Sequence, residues 1–140
     1  ADWMGLLARA EAGRLAALWD AWPDKPGFAW LRPPEIGAVM LRGRTSGKGA
    51  PFNLGEMTVT RCALRLGCGT VGHAYVQGRD RAKAEQAALV DALMQTEAAE
   101  AVCAAVLAPL AEDEAARRTA RAARAAATKV DFFTMVRGED

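Results

Sequence analysis

The sequence predicts an α+β fold, a mostly antiparallel sheet with helices packed on one face. Three observations carry that prediction. Strand-like runs cluster within residues 36–77 and helix-like runs follow within 80–128, an order that segregates sheet from helices instead of alternating them. The triplet Gly67-Cys68-Gly69 divides two strand-like runs, a hairpin signal. Hydrophobic residues make up 51% of the 140, enough for one packed core, so a single domain over 1–140 is expected.

The first element is a helix from Asp2 to Trp22. Asp2 can cap it, and Trp3, Leu7, Leu15, Leu18 and Trp19 recur at helical spacing. Pro23 and Pro26 end it, and residues 23–34 read as a turn-rich connector. Ile36 to Arg44 reads as a strand, residues 45–51 as a loop, and Phe52 to Glu56 is ambiguous. Thr58 to Leu66 and Thr70 to Gln77 are strands. Asp80 is the expected N-cap of a helix reaching about Gln95, with Leu89, Val90, Leu93 and Met94 on its apolar side. Alanine-rich helices follow over about 97–107 and 112–128, with Pro109 between them. Val130 to Val136 reads as a last strand, apolar on both faces.

A two-residue turn at Cys68-Gly69 would pair Leu66 with Val71 and Cys62 with Tyr75. Cys62, Leu64, Leu66, Val71, His73 and Tyr75 would then share a core face. Arg61, Ala63, Arg65, Gly72, Ala74 and Val76 would share the other. A one-residue slip would exchange the faces. On this register Arg61 and Arg65 stand over small residues. The planar guanidinium fork suits phosphate or carboxylate, so this surface is a candidate anion floor. The commoner meaning of such a pattern is two solvated arginines.

Other stretches test less well. Gly43 to Gly49 has the outline of a phosphate loop, but its glycines are misspaced and Pro51-Phe52 follow in place of a helix start. Lys48 in that glycine-rich turn stays an anion-binding candidate through exposed amides. Arg79 joins it, because it precedes a helix N-terminus. Arg117, Arg121 and Arg124 form one helical stripe near Glu112, Asp113 and Glu114, the usual pattern of a solvated, paired face. His73 is the single histidine and has no second catalytic group or metal-ligand set at readable spacing. No metal site is expected, and no residue is singled out as catalytic.

Net charge is +1, which does not argue for nucleic acid or a membrane surface. Cys62, Cys68 and Cys103 are odd in number and form no CxxC pair, so a reduced, cytoplasmic protein is expected. There is no signal-peptide pattern or membrane-length apolar run.

Three stretches resemble the PhnG family of the bacterial carbon–phosphorus lyase system. They are Gly47-Lys48-Gly49-Ala50-Pro51-Phe52-Asn53-Leu54-Gly55-Glu56 with Thr60-Arg61; Gly69-Thr70-Val71-Gly72-His73 through Val76-Gln77-Gly78-Arg79-Asp80 to Leu89-Val90-Asp91-Ala92-Leu93; and Pro109-Leu110 with Val130-Asp131-Phe132-Phe133-Thr134-Met135-Val136-Arg137-Gly138. Together they cover roughly residues 42–138.

The resemblance implies a subunit of the core complex for phosphonate degradation, assembled with companion H, I and J subunits. With the L protein, the complex would displace adenine from ATP with methylphosphonate, giving α-D-ribose 1-methylphosphonate 5-triphosphate. It also implies that the nucleosidase centre lies on I and the iron–sulfur chemistry on J. The present chain would then be a scaffold or shaping subunit of a multisubunit transferase. It would bind no cofactor alone, with ATP a substrate of the complex.

Two alternatives accompany that reading. Arg61, Arg65, Arg79 and Lys48 would serve a co-catalytic subunit that holds triphosphate or phosphonate. A free-standing homodimeric domain binding anions or protein without catalysis is the other. Phe132, Phe133, Met135 and Arg137 are the interface candidates, because a strand apolar on both faces needs covering.

Overall fold

A computed structural model describes residues 3–44 and 51–138, with side-chain surroundings described for 3–41 and 55–129. The chain divides into two compact units, Ala1–Leu110 and Ala111–Asp140. Two short helices open the first unit, α1 (Trp3–Arg9) and α2 (Ala12–Ala21). Three strands follow: β1 (Phe28–Arg44), β2 (Pro51–Leu66) and β3 (Val71–Gln77). Next come α3 (Arg81–Leu93), α4 (Ala99–Val102), a π turn at Cys103–Leu107, and α5 (Ala108–Gly138). The sheet is antiparallel in the order β1-β2-β3. The expected α+β class is therefore the observed one. None of the described helices is long and apolar enough to cross a membrane.

The expected single N-terminal helix is two. Glu11 is extended, with ψ 131°, and breaks the run. Across the break Leu7, Leu15, Trp19 and Trp22 all reach one core, where each is under 10% exposed. Lys25, on the connector, ends α2 by donating from Nζ to the carbonyls of Trp19 (2.6 Å), Trp22 and Asp20. A cation at the C-terminal carbonyls also answers the helix dipole.

β1 starts eight residues earlier than the sequence reading placed it and runs through Pro33-Pro34. Those prolines fall where the β1–β2 register shifts, between Arg32 and Glu35. β1 is an edge strand, and edges and bulges are where a missing N–H is tolerated.

The β2–β3 register is one residue off the expected one. Arg65 pairs with Val71, Ala63 with His73, and Arg61 with Tyr75. The loop is three residues long: Leu66 N–H donates to Thr70 O (2.8 Å) and Gly69 N–H to Leu66 O (2.9 Å). Gly69, at φ +97°, takes the left-handed conformation that such a loop requires. On β3 the faces are therefore exchanged. Gly72, Ala74 and Val76 are buried, and His73, Tyr75 and Gln77 are exposed.

The core lies between the sheet's buried face and the helices. Cys62, Leu64 and Leu66 meet Ala84, Ala87, Ala88, Val90, Val102 and Val106 there. The small residues of β3 are a seat for α3. A Cβ built on Gly72 would lie 2.2 Å from Ala88 O and 2.8 Å from Ala92 Cβ. Asp80 caps α3 as expected, its carboxylate accepting from Lys83 N–H at 2.9 Å.

β3 is the second edge strand, and α3 closes part of that edge. Asp91 Oδ2 accepts from His73 N–H (2.9 Å), and Gln95 Nε2 donates to Val71 O (3.0 Å). The other Asp91 oxygen accepts from Trp3 Nε1 at 2.6 Å, tying α1 to the same point. Satisfied edge groups do not recruit stray strands. Asp91→Ala is expected to destabilise the domain by roughly 2 kcal/mol, since two donors lose a charged acceptor. Thermal unfolding and faster amide exchange at His73 are the readouts.

The C-terminal segment corrects the expected strand. Val130 to Val136 is helical, part of α5. No glycine or proline lies between Leu110 and Arg137, so nothing stops a helix already propagating through alanine-rich sequence. Pro109 does not divide two helices either. It sits in the first turn of α5, directly after the π turn, where a widened backbone accommodates the missing N–H. The arginine stripe behaves as expected: Arg117, Arg121 and Arg124 are exposed, and Arg118 pairs with Glu114 at 3.9 Å.

Candidate functional site on the exposed sheet face

The sheet face away from the helices carries the polar chemistry of the first unit. Its rows follow from the register. Arg32, Ala63 and His73 stand side by side across β1, β2 and β3, and Glu35, Arg61 and Tyr75 form the next row. Arg65 and Val71 make a third row on β2 and β3. Alternation puts Arg61, Ala63 and Arg65 on this face because Cys62, Leu64 and Leu66 occupy the core.

A concavity of about 560 Å³ lies on this face. Leu31 and Arg32 of β1, Arg61, Cys62 and Ala63 of β2, and His73, Ala74 and Tyr75 of β3 line it, with Met4 of α1. That volume falls in the range of small-molecule sites. Tyr75 is 43% exposed and Leu31 50% exposed, so both hold large side chains in reach of solvent. Glu35 approaches Arg61 Nε only to 4.0 Å, with both side chains 56% exposed. Such a surface pair binds weakly.

The expected anion candidates separate here. Arg61 lines the concavity. Arg65 shares the face, one row away. Arg79 is exposed between Gly78 and the Asp80 cap, and Asp80 itself occupies one of the α3 amides. Lys48 lies outside the described residues. Of the small residues expected on this floor, Ala63 keeps its side chain on the exposed face, whereas Gly72 and Ala74 are buried on the core side. Arg32, His73 and Tyr75 join the site beyond the expected candidates. Arg32 lies in a Pro-rich stretch whose composition signals a connector, although it pairs as a strand. A two-residue turn would put His73 and Tyr75 in the core, and the observed three-residue loop turns both outward. Phe132, Phe133, Met135 and Arg137 belong to α5, and their side chains lie outside the described residues.

The cysteines follow burial. Cys62 Sγ donates to Ala84 O at 3.3 Å in the core, and burial, with the charge of Glu85, pushes its thiol up to about 11. Cys68, exposed in the hairpin loop, is held below the ordinary thiol range by the Thr70 hydroxyl 3.3 Å away. Among the described residues no three His, Cys, Asp or Glu side chains gather as metal ligands.

The chain resembles known proteins over nearly its whole length. The family profile described as phosphonate metabolism protein PhnG matches residues 1–138. A curated relative from Rhizobium meliloti (strain 1021) is 51% identical over 137 residues, covering 98% of this chain and 88% of that protein. That relative is described as subunit PhnG of alpha-D-ribose 1-methylphosphonate 5-triphosphate synthase. At this coverage and identity the likeness extends through every element from α1 to α5, and the chain belongs to the PhnG family of phosphonate metabolism proteins.

Proposed function

We propose that this chain is a subunit of an α-D-ribose 1-methylphosphonate 5-triphosphate synthase, in which methylphosphonate displaces adenine from ATP. The observation that carries the reading is the 51% identity to a protein of that description over 98% of the chain. The subunit's part is to bind and shape its partners, the companion H, I and J subunits and the L protein, with the displacement chemistry on a partner.

The β1–β2 hairpin supports the partner reading. β3 pairs with β2 only from Val59 to Arg65, whereas β1 and β2 stay paired out to Arg44 and Pro51. The outer half of the hairpin is thus a two-stranded ribbon, which is marginal alone in water. It carries Met40 and Leu41, 50% and 41% exposed. Apolar side chains on such an arm suit a protein contact.

The test is adenine release from ATP and methylphosphonate by purified H, I and L partners, with and without this chain. Formation of the ribose methylphosphonate product only when the chain is present supports the reading. Equal product in both cases overturns it. Met40→Glu with Leu41→Glu is expected to keep the fold, because both side chains are exposed. It is expected to lower co-elution with the partners at least tenfold.

A further inference from the structure

We infer that the concavity over Ala63 is a binding site for a small molecule bearing a phosphate- or phosphonate-type oxyanion. Ala63 is its floor, a single methyl in the middle strand. Directly across the strands stand Arg32 on one side and His73 on the other, each about 5 Å away at the Cβ atoms. Along β2, two positions up and down the same face, stand Arg61 and Arg65, about 7 Å away. Tyr75 pairs with Arg61 and also lines the concavity. A larger residue at 63 would fill the space these side chains surround.

The charge and geometry select the ligand class. Two guanidinium groups, those of Arg32 and Arg61, line one concavity with His73, and their like charges repel unless an anion lies among them. Glu35, the acidic residue that this face presents in the same rows, reaches Arg61 only at 4.0 Å. A planar carboxylate engages one guanidinium fork. A tetrahedral, multiply charged oxyanion offers oxygens in several directions and can engage Arg32, Arg61 and His73 together. Leu31 and Met4 give the concavity an apolar wall, which leaves room for an organic group attached to the oxyanion. Solvated arginines on a plain sheet surface would show neither the floor nor the wall. The site stands on this geometry and does not depend on the chain acting in a synthase.

The test is an NMR titration of the full-length chain with inorganic triphosphate and with methylphosphonate, each at two salt concentrations. Saturable shifts centred on Arg32, Arg61, Ala63, His73 and Tyr75 are expected. Arg32→Ala with Arg61→Ala should weaken binding at least tenfold at unchanged thermal stability. Arg118→Ala, on the paired face of α5, should leave it unchanged. Ala63→Leu should block binding while every arginine remains, separating a shaped site from diffuse charge. Shifts spread over all basic residues, absence of saturation, or wild-type affinity in the double variant or in Ala63→Leu would each overturn the site. Tighter binding of a polyglutamate peptide than of triphosphate would overturn the ligand class.

Discussion

Gly72→Ala is expected to destabilise the first unit by about 3 kcal/mol or more, one of the larger costs a single methyl can impose. The added Cβ would sit 2.2 Å from Ala88 O, 2.8 Å from Ala92 Cβ and 2.9 Å from Ala92 N. Two of those three atoms are helix backbone, so no side-chain rotation relieves the overlap. Either α3 lifts off β3 or β3 bends away, and both openings break the same layer. α3 places Leu89, Val90, Ala92 and Leu93 in the core and holds the β3 edge through Asp91. A drop in the unfolding midpoint of roughly 10 °C is the expected readout for a unit of this size. Gly37→Ala is the control, because a Cβ there meets nothing within 4 Å. Wild-type stability for Gly72→Ala would mean that α3 does not rest on β3 as described.

That contact also separates what local sequence signals encode from what they do not. Sheet, hairpin, α3 and the Asp80 cap were legible because each depends on local signals: alternation, a glycine turn, an N-cap before an apolar stripe. The parity of β3 was not. His73 and Tyr75 look no less suited to a core than Gly72 and Ala74. What decides the face is a helix that needs a flat seat, and that helix begins nine residues later in sequence. Arg61 and Ala63 share the exposed face as expected, but the β3 residues beside them are exchanged by the same slip.

The C-terminal strand failed for the opposite reason. Val130, Phe132 and Val136 carry strand propensity, yet they continue a helix that meets no breaker after Pro109. Cooperative propagation outweighs a preference that is itself largely a matter of packing context. Pro109 misled because a proline ends a regular α-helix, whereas here a π turn precedes it.

Alkaline unfolding is the second large effect, and Cys62 carries it. Burial raises its thiol from an ordinary 9.0 to about 11 in the folded chain, with Glu85 adding to the rise. Below pH 9 the thiol is protonated in both states and the contribution is complete. Between pH 9 and about 11 the unfolded chain releases that proton while the folded chain keeps it, so stability falls as pH rises. The loss approaches about 3 kcal/mol at the top of that window. Lys83 works in the other direction. Its ammonium is buried between α3 and α1, donating to Ala8 O at 2.9 Å, and burial lowers its pKa, although Asp80 raises it in part. The unfolded chain then holds the extra proton at pH values below 10.5, so this group gains stability as pH rises toward that value. The wild-type slope is the difference of the two. Cys62→Ala should flatten the fall between pH 9 and 11, at the cost of roughly 1 kcal/mol at neutral pH from the lost sulfur contacts. Lys83→Met should steepen the same fall by removing the opposing contribution. Urea midpoints from pH 8 to 11 for the three proteins separate the two groups. An unchanged alkaline slope in Cys62→Ala would show that the thiol does not carry the loss, because no other cysteine is buried beside it among the described residues.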